Sequence, residues 1–281
     1  MTSTKTLRRL ATVAIAGSAA LALAACSGGG APAPAGSDAA PADGAVQTIR
    51  VGALPVPAGD MLQWVDENLA ADAGLDIEWV EFTDYNTPNP ALSDGTTDAN
   101  LFQNSTFMET YNSQAGGDLV SVGEVYLPAA AFYSEELDSL DDLPDGARIA
   151  VPNDPTNEGR ALGLLAAEGL IELADGATNL TGITANPRGF QFTEIENATL
   201  PLAMPDNDAV FVTASFALPA GLTGEQAILI EGNDSNYFNI LATRPDLADD
   251  ERVQTLYELL TSDETKEHIL AEWGGLIVPV D

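Results

Sequence analysis

The sequence is poor in the side chains that most often carry chemistry. It has one cysteine, one histidine and only ten basic residues among 281. Zinc sites take several His or Cys ligands, so no metal site is expected. The single histidine, His268, falls within a predicted helix, where we expect a surface or helix-capping role. No Gly-x-Ser-x-Gly elbow, Walker loop or Gly-x-Gly-x-x-Gly turn is present, so we predict no catalytic residue and no cofactor.

Basic residues are outnumbered by 43 acidic ones, which gives a formal net charge of −33. Such a charge repels phosphate backbones, so nucleic-acid binding is not expected. The acidic residues are scattered through a chain that is 45% hydrophobic, which indicates a folded domain with an acidic surface. No stretch has the ligand spacing of an EF-hand loop. An acid/base pair of carboxylates remains an alternative, because a surface hydrolase could use one.

The amino terminus has the features of a secretory signal, predicted over residues 1–25. Three basic residues precede an apolar run, Leu10 to Ala25, that is shorter than the roughly 20 residues of a membrane-spanning helix. The run ends just before Cys26, and small residues before a lone cysteine resemble a bacterial lipobox. We therefore predict that Cys26 is lipidated and holds the protein at the extracytoplasmic face of the cell membrane. The alternative is an ordinary signal peptide followed by a spare thiol.

Residues 26–47 consist almost wholly of Gly, Ala, Pro, Ser and Asp. They contain too few large apolar residues to form a core, so we predict a flexible tether. The folded part then begins near Thr48. This folded part is long for a single hydrophobic core, and its length suits two lobes.

Strand-like and helix-like segments alternate from Thr48 onwards, which predicts an α/β fold. The alternation restarts after a long apolar segment, Val120 to Tyr133, that contains Pro128. We predict lobe 1 over residues 48–128 and 237–281 and lobe 2 over 129–236, each a mainly parallel sheet flanked by helices. Two hinge strands would join the lobes. Ligands bind such sheets beyond the carboxyl ends of the strands, so the site should lie in the cleft between the lobes.

Arg160 is the cation best placed to bind an anionic group. It lies just inside a predicted helix that Asp154 or Thr156 could cap and that Pro155 could begin. The positive helix terminus and a guanidinium together suit a carboxylate. The alternative is a surface pair between Arg160 and Glu158 or another acid.

Aromatic residues follow several predicted strands. Tyr85, Phe102, Phe107 and Tyr111 lie at strand ends or in the next helical turn. Core packing is their usual role. Strand ends at a cleft could instead line an apolar pocket.

Several segments have a characteristic sequence: Val80–Tyr85, Asp98–Gln103, Val120–Gly123 and Pro152–Leu162, with Val51–Pro57 and the closing Gly274–Pro279. They resemble the NlpA lipoprotein family, the methionine-binding lipoproteins of ABC importers. The similarity covers essentially the whole mature domain.

The resemblance implies a two-lobe, periplasmic-binding-protein-like fold and no enzyme activity. It implies that Arg160 holds a ligand carboxylate, that Tyr85 and Phe102 wall a thioether pocket, and that Asn239 helps to hold the amino-acid end. Sulfur against aromatic rings suits methionine. The implied partners are an ABC permease and its ATPase, and the protein is expected to be a monomer.

Three positions depart from the family pattern. Asn104 stands where the family has His, Phe107 where it has Tyr, and Thr213 where it has Asn. Each change removes a specific hydrogen bond, worth about 0.5–1.5 kcal/mol. The amino-acid clamp through Arg160 is retained, whereas the preferred side chain could be that of methionine, another apolar amino acid or a short peptide. A structural lipoprotein or adhesin with a vestigial cleft is a further alternative.

Overall fold

The computed structural model describes residues 46–232 and 234–281. The predicted signal, Cys26 and all but the last two residues of the predicted tether lie outside these residues. Within the described part of the chain, no helix combines the length and the apolar character that crossing a membrane requires.

The described residues alternate between strands and helices, as the sequence pattern predicts. In chain order the strands are β1 Gln47–Ala53, β2 Leu75–Glu81, β3 Ala99–Asn104, β4 Val120–Pro128, β5 Ala130–Tyr133, β6 Arg148–Pro152, β7 Glu172–Leu173, β8 Ile183–Ala185, β9 Gln191–Ile195, β10 Ala209–Thr213, β11 Ala227–Ile230, β12 Asn239–Thr243 and β13 Ile277–Pro279. The α-helices are α1 Asp60–Asn68, α2 Pro88–Ser93, α3 Ser105–Ala115, α4 Pro155–Ala167, α5 Ala214–Ala217, α6 Glu251–Leu260 and α7 Asp263–Trp273.

The first large sheet has six strands in the order β13-β4-β12-β3-β1-β2. Strand β1 runs parallel to both β2 and β3. Strand β12 runs antiparallel to β3 and β4, and β13 pairs antiparallel with β4. The parallel half of this sheet is the β-α-β-α-β unit that the amino-terminal pattern predicts.

The second large sheet has five strands in the order β11-β5-β10-β6-β9. Strand β6 runs parallel to β10 and β9, whereas β5 runs antiparallel to β10 and β11. Strands β7 and β8 form a separate small ribbon. In each large sheet, three neighbouring strands are parallel to one another. The strands beside the connections between the sheets pair antiparallel.

The chain passes between the two large sheets twice. Strand β4 ends at Pro128 in the first sheet, and β5 begins at Ala130 in the second. The chain returns between the end of β11 at Ile230 and the start of β12 at Asn239. The apolar segment predicted to cross between lobes is therefore two strands in different sheets. The exact limits of the lobes remain a prediction.

Each sheet has its own hydrophobic core. In the first, Ile49 and Val51 of β1 pack with Met61 and Val65 of α1, and all four are fully buried. These helical positions are four residues apart, so they lie on one face of α1. The second core is built from β5, β6, β10 and α4, with Phe132 among its largest side chains.

Several elements are short or irregular. They include β7, β8, the four-residue helix α5 and the closing strand β13. Residues Asn197–Asp206 form a 3₁₀ segment rather than an α-helix. Pro201 and Pro205 lie inside it, and proline lacks the N–H that an α-helix needs.

The core of the second sheet gives a test of the fold. Phe132 and Phe211 are fully buried, with ring centroids 5.4 Å apart. Phe132→Ala should lower the free energy of unfolding by about 3–5 kcal/mol, because it leaves a cavity that the sheet cannot fill. Urea denaturation followed by circular dichroism measures this.

A suitable control is Leu202→Ala, since Leu202 is 79% exposed. It should change the free energy of unfolding by less than about 0.5 kcal/mol. Equal losses for the two variants would contradict the assignment of Phe132 to the core.

Candidate ligand-binding site

A cavity of about 280 Å³ lies where the ends of the two large sheets face each other. The side chains singled out from the sequence for ligand binding line it, except Tyr111, whose hydroxyl lies 2.9 Å from that of Ser93. The lining residues are Tyr85, Phe102, Gln103, Asn104, Phe107, Pro128, Asn157, Arg160, Thr213 and Asn239. The contact of these side chains with a ligand remains a prediction.

Helix α4 places Arg160 at this cavity. Its N-cap is Asp154, whose side chain accepts a hydrogen bond of 2.9 Å from the backbone N–H of Asn157. Pro155 occupies the first helical position, where its missing N–H is not needed. Arg160 lies just over one turn along α4 from Pro155, and it is only 4% exposed.

The guanidinium of Arg160 is paired inside the protein. Its Nε donates to Oε1 of Glu231 at 2.9 Å, and its Nη2 donates to Oε2 of the same carboxylate. Nη2 also donates to the carbonyl oxygen of Pro128 at 2.9 Å. The ring of Tyr237 lies 4.6 Å from the guanidinium carbon. The alternative of a surface pair with Glu158 is therefore wrong: the partner of Arg160 is a buried carboxylate 71 residues later.

The third nitrogen of Arg160 has a different environment. Among residues 46–232 and 234–281, Nη1 has no hydrogen-bond acceptor, and Arg160 is one of the residues that line the cavity. A bound carboxylate could therefore use this nitrogen without displacing Glu231.

The opposite side of the cavity is aromatic. The Tyr85 ring centroid lies 5.9 Å from those of Phe102 and Phe107, and 4.8 Å from that of Phe216. Phe216 lies in α5, next to the second sheet, so the aromatic cluster joins both lobes. Such rings provide an apolar wall and polarizable contacts for a sulfur atom.

Tyr85 also makes a polar contact between the lobes. Its hydroxyl lies 3.0 Å from Oγ1 of Thr213, which ends β10. Burial raises the pKa of Tyr85 above its usual value, so the phenol stays neutral and keeps its proton for hydrogen bonding. Tyr85 thus joins the lobes at the cavity through a hydroxyl pair with Thr213 and a ring contact with Phe216.

The remaining predicted residues are ordered by protein contacts. Asn104 is the N-cap of α3, and its Oδ1 accepts the backbone N–H of Phe107 at 2.9 Å. Nδ2 of Asn239 lies 3.0 Å from the hydroxyl of Tyr126, to which it donates. These hydrogen bonds hold each side-chain amide in one orientation. Oδ1 of Asn104 and Nδ2 of Asn239 already have protein partners.

Sequence reasoning missed several residues at the site. Gln103, Asn157 and Pro128 line the cavity, and Glu231 and Tyr237 contact Arg160. Gln103 and Asn157 fall within the family-like segments, so the family resemblance could have identified them as candidate site residues. Glu231 is one of 43 acidic residues and has no local pattern that sets it apart.

Glu158 lies two residues from Arg160 and is 2% exposed. Its Oε1 accepts the backbone N–H of Leu180 at 2.7 Å. Burial, with further repulsion from Glu194 and Asp154, raises the pKa of Glu158 to about 7. Across the described residues there is no group of three or more His, Cys, Asp or Glu side chains that could hold a metal ion.

Comparison with known proteins identifies the family. The model of the NlpA lipoprotein family matches residues 49–280. The chain belongs to the NlpA lipoprotein family. This confirms the family resemblance inferred from the sequence segments.

Other members of the NlpA lipoprotein family are similar over most of their length. The D-methionine-binding lipoprotein MetQ of Salmonella typhi is 39% identical over 226 residues, which cover 78% of this chain and 83% of that protein. A nutrient-binding protein from Burkholderia cenocepacia, solved bound to methionine, is 35% identical with a TM-score of 0.79, covering 83% of this chain and 100% of its own. A putative lipoprotein from Actinomyces odontolyticus is 35% identical with a TM-score of 0.81, covering 84% and 100%. These neighbours confirm the two-lobe fold.

The environment of Glu158 predicts a pH dependence of stability. The native state binds the Glu158 proton more tightly than the unfolded state, so this group's contribution is greatest at low pH and is lost as pH rises to about 7. Glu158→Gln keeps an oxygen for the Leu180 N–H but does not titrate. Relative to wild type, the variant should therefore become more stable as the pH is raised from 4.5 to 8, as measured by urea denaturation at each pH.

The matched control is Glu136→Gln, which removes the same charge from an exposed position. Between pH 4.5 and 8, its free energy of unfolding relative to wild type should change much less than that of Glu158→Gln. A difference between wild type and Glu158→Gln that does not vary with pH would contradict the proposed protonation of Glu158.

Proposed function

We propose that this protein is the solute-binding component of an ABC importer and captures methionine or a closely related amino acid between its lobes. The observation that carries this proposal is the buried Arg160 guanidinium on one side of a small cavity and the aromatic cluster on the other. Membership of the NlpA lipoprotein family and the methionine bound to the Burkholderia relative support it.

The geometry suits each part of such a ligand. The carboxylate would bind Nη1 of Arg160, where little water is present to weaken the interaction. The amide groups of Asn157 and Asn239 donate to protein partners, so their oxygens are available to the ammonium group. The thioether would lie against Tyr85 and Phe102.

Binding and lobe closure would occur together in this proposal. The ring of Phe216 from the second lobe packs against Tyr85, and the hydroxyl pair of Tyr85 and Thr213 joins the two lobes. A ligand that fills the cavity would therefore favour the conformation in which these contacts form. The hinge would lie at the two connections between the sheets, with lobe 1 over residues 48–128 and 237–281 and lobe 2 over 129–236.

A short peptide is a second candidate ligand. A larger cavity, of about 830 Å³, is also lined by Tyr85 and Phe107 and continues along α3 to the start of α4. Its lining includes the carboxylates of Asp154 and Glu196. These acids would suit the amino end of a ligand too long for the smaller cavity.

The proposed location is the extracytoplasmic face of the cell membrane, with Cys26 as the lipid attachment site. The family assignment supports a lipoprotein. The proposed partners are the permease and ATPase of the importer, which would receive the ligand from the monomeric binding protein.

Isothermal titration should detect methionine binding by the protein purified in detergent and refolded to remove any co-purified ligand. Arg160→Ala should weaken binding more than tenfold, at least about 1.4 kcal/mol, because the variant loses the only cation that lines the cavity among the described residues. Arg148→Ala, which removes an exposed arginine of the same lobe, should leave the affinity unchanged.

No heat with methionine, the other amino acids or dipeptides would rule out the proposed function. An unchanged affinity in Arg160→Ala would instead remove Arg160 from the binding site while leaving the ligand class intact.

Lipid attachment has a separate test. Cys26→Ser should move the protein from the membrane fraction to the soluble fraction of its host, because the thiol that would carry the acyl chains is absent. Radiolabelled palmitate should label the wild type alone. Equal membrane retention of both forms would contradict anchoring through Cys26.

A further inference from the structure

The charge of Arg160 is balanced before any ligand arrives. Glu231 uses both carboxylate oxygens on Nε and Nη2, and the two side chains are among the most deeply buried charged groups of the described chain. A buried pair of this kind is stable only when both members are present, because either alone would be an uncompensated charge in a poorly solvated place.

The position of Glu231 is fixed by the connections between the sheets. Its backbone N–H donates to the carbonyl oxygen of Ala130 at 2.9 Å, and its Oε2 lies 3.4 Å from the backbone nitrogen of Ala130. Arg160 donates in turn to Pro128, two residues earlier. Movement of the Glu231 carboxylate away from the guanidinium would therefore also break its contact with Ala130 in the first connection.

Among residues 46–232 and 234–281, no other formal charge lines the small cavity. Apart from Arg160, its lining residues are aromatic, amide, hydroxyl or proline side chains. The pair of Arg160 and Glu231 thus sets the net charge next to the ligand at zero. In a buried site a net charge on the ligand would be only weakly screened.

We propose that Glu231 is a specificity-determining residue that restricts the small cavity to ligands with no net charge, such as zwitterionic amino acids. It acts through Arg160 as a positioning residue and need not contact the ligand. An otherwise matched anion without an ammonium group would bring an uncompensated negative charge into the cavity and be rejected. The inference rests on the proposed function for the identity of the ligand.

Glu231→Gln tests this directly, because glutamine has the same shape and keeps one oxygen for Arg160. Isothermal titration would compare methionine with 2-hydroxy-4-(methylthio)butanoate, the analogue in which a hydroxyl replaces the ammonium group. We expect the wild type to prefer methionine and the preference to fall at least tenfold in Glu231→Gln. Glu231→Asp, which keeps the charge, should largely retain the preference.

The matched control is Glu225→Gln, which makes the same change of net charge at an exposed position. It should leave the preference unaltered. If Glu231→Gln weakens both ligands by the same factor, Glu231 has a purely structural role and the proposal is wrong.

A second measurement does not depend on the identity of the natural ligand. Acetate, added at constant ionic strength, should raise the melting temperature of Glu231→Gln but not that of the wild type, because only the variant has an unbalanced guanidinium. The double variant Arg160→Gln with Glu231→Gln should not respond. This pattern, together with no binding of any amino acid, would support the role of Glu231 while rejecting the proposed function; no acetate effect in Glu231→Gln would reject that role.

If circular dichroism shows that Glu231→Gln does not fold, a structure of the wild type still tests the proposal. A crystal structure with its bound ligand should show the ligand carboxylate on Nη1 and Glu231 still on Nε and Nη2 of Arg160. A ligand carboxylate that displaces Glu231 from the guanidinium would overturn the proposal.

Discussion

The buried guanidinium of Arg160 imposes the strongest constraint on this structure. A cation with 4% exposure has lost most of its hydration, so it must be compensated within the protein. Glu231, the carbonyl of Pro128 and the ring of Tyr237 supply that compensation. These partners belong to the two connections between the sheets. The group proposed to bind the ligand is therefore also the group that fixes the joint between the lobes.

The second constraint is that the wall of the cavity is itself a contact between lobes. Tyr85 follows the first sheet and contacts Thr213 and Phe216 on the side of the second; Tyr85 and Thr213 line the cavity. Two of the positions that depart from the family pattern, Asn104 and Thr213, are engaged in protein hydrogen bonds. The choice among ligand side chains then depends mainly on shape and aromatic contact, which is compatible with methionine and with other apolar amino acids.

Electrostatics differ sharply between the surface and the interior. The chain as a whole carries a formal charge of −33, yet the small cavity is lined by one cation whose charge Glu231 balances. Nearby, Glu158 avoids the cost of a buried negative charge by holding its proton up to a pH of about 7. An acidic protein can thus offer a nearly neutral site, because burial makes each interior charge depend on its immediate partner rather than on the surface.

The sequence by itself determined the features that arise from neighbouring residues. Helical spacing in α1, the break at Ala129 beside Pro128 and the capping of α4 by Asp154 depend on hydrogen bonds and sterics within a few positions. The family-like segments contain Tyr85, Phe102 and Arg160, which lie on elements that meet at one cavity. Only the tertiary structure decided that Glu231 pairs with Arg160, that Phe216 packs against Tyr85 and that β13 joins β4. Those contacts join residues far apart in the chain, and one carboxylate among 43 carries no local sign of the cation it will meet.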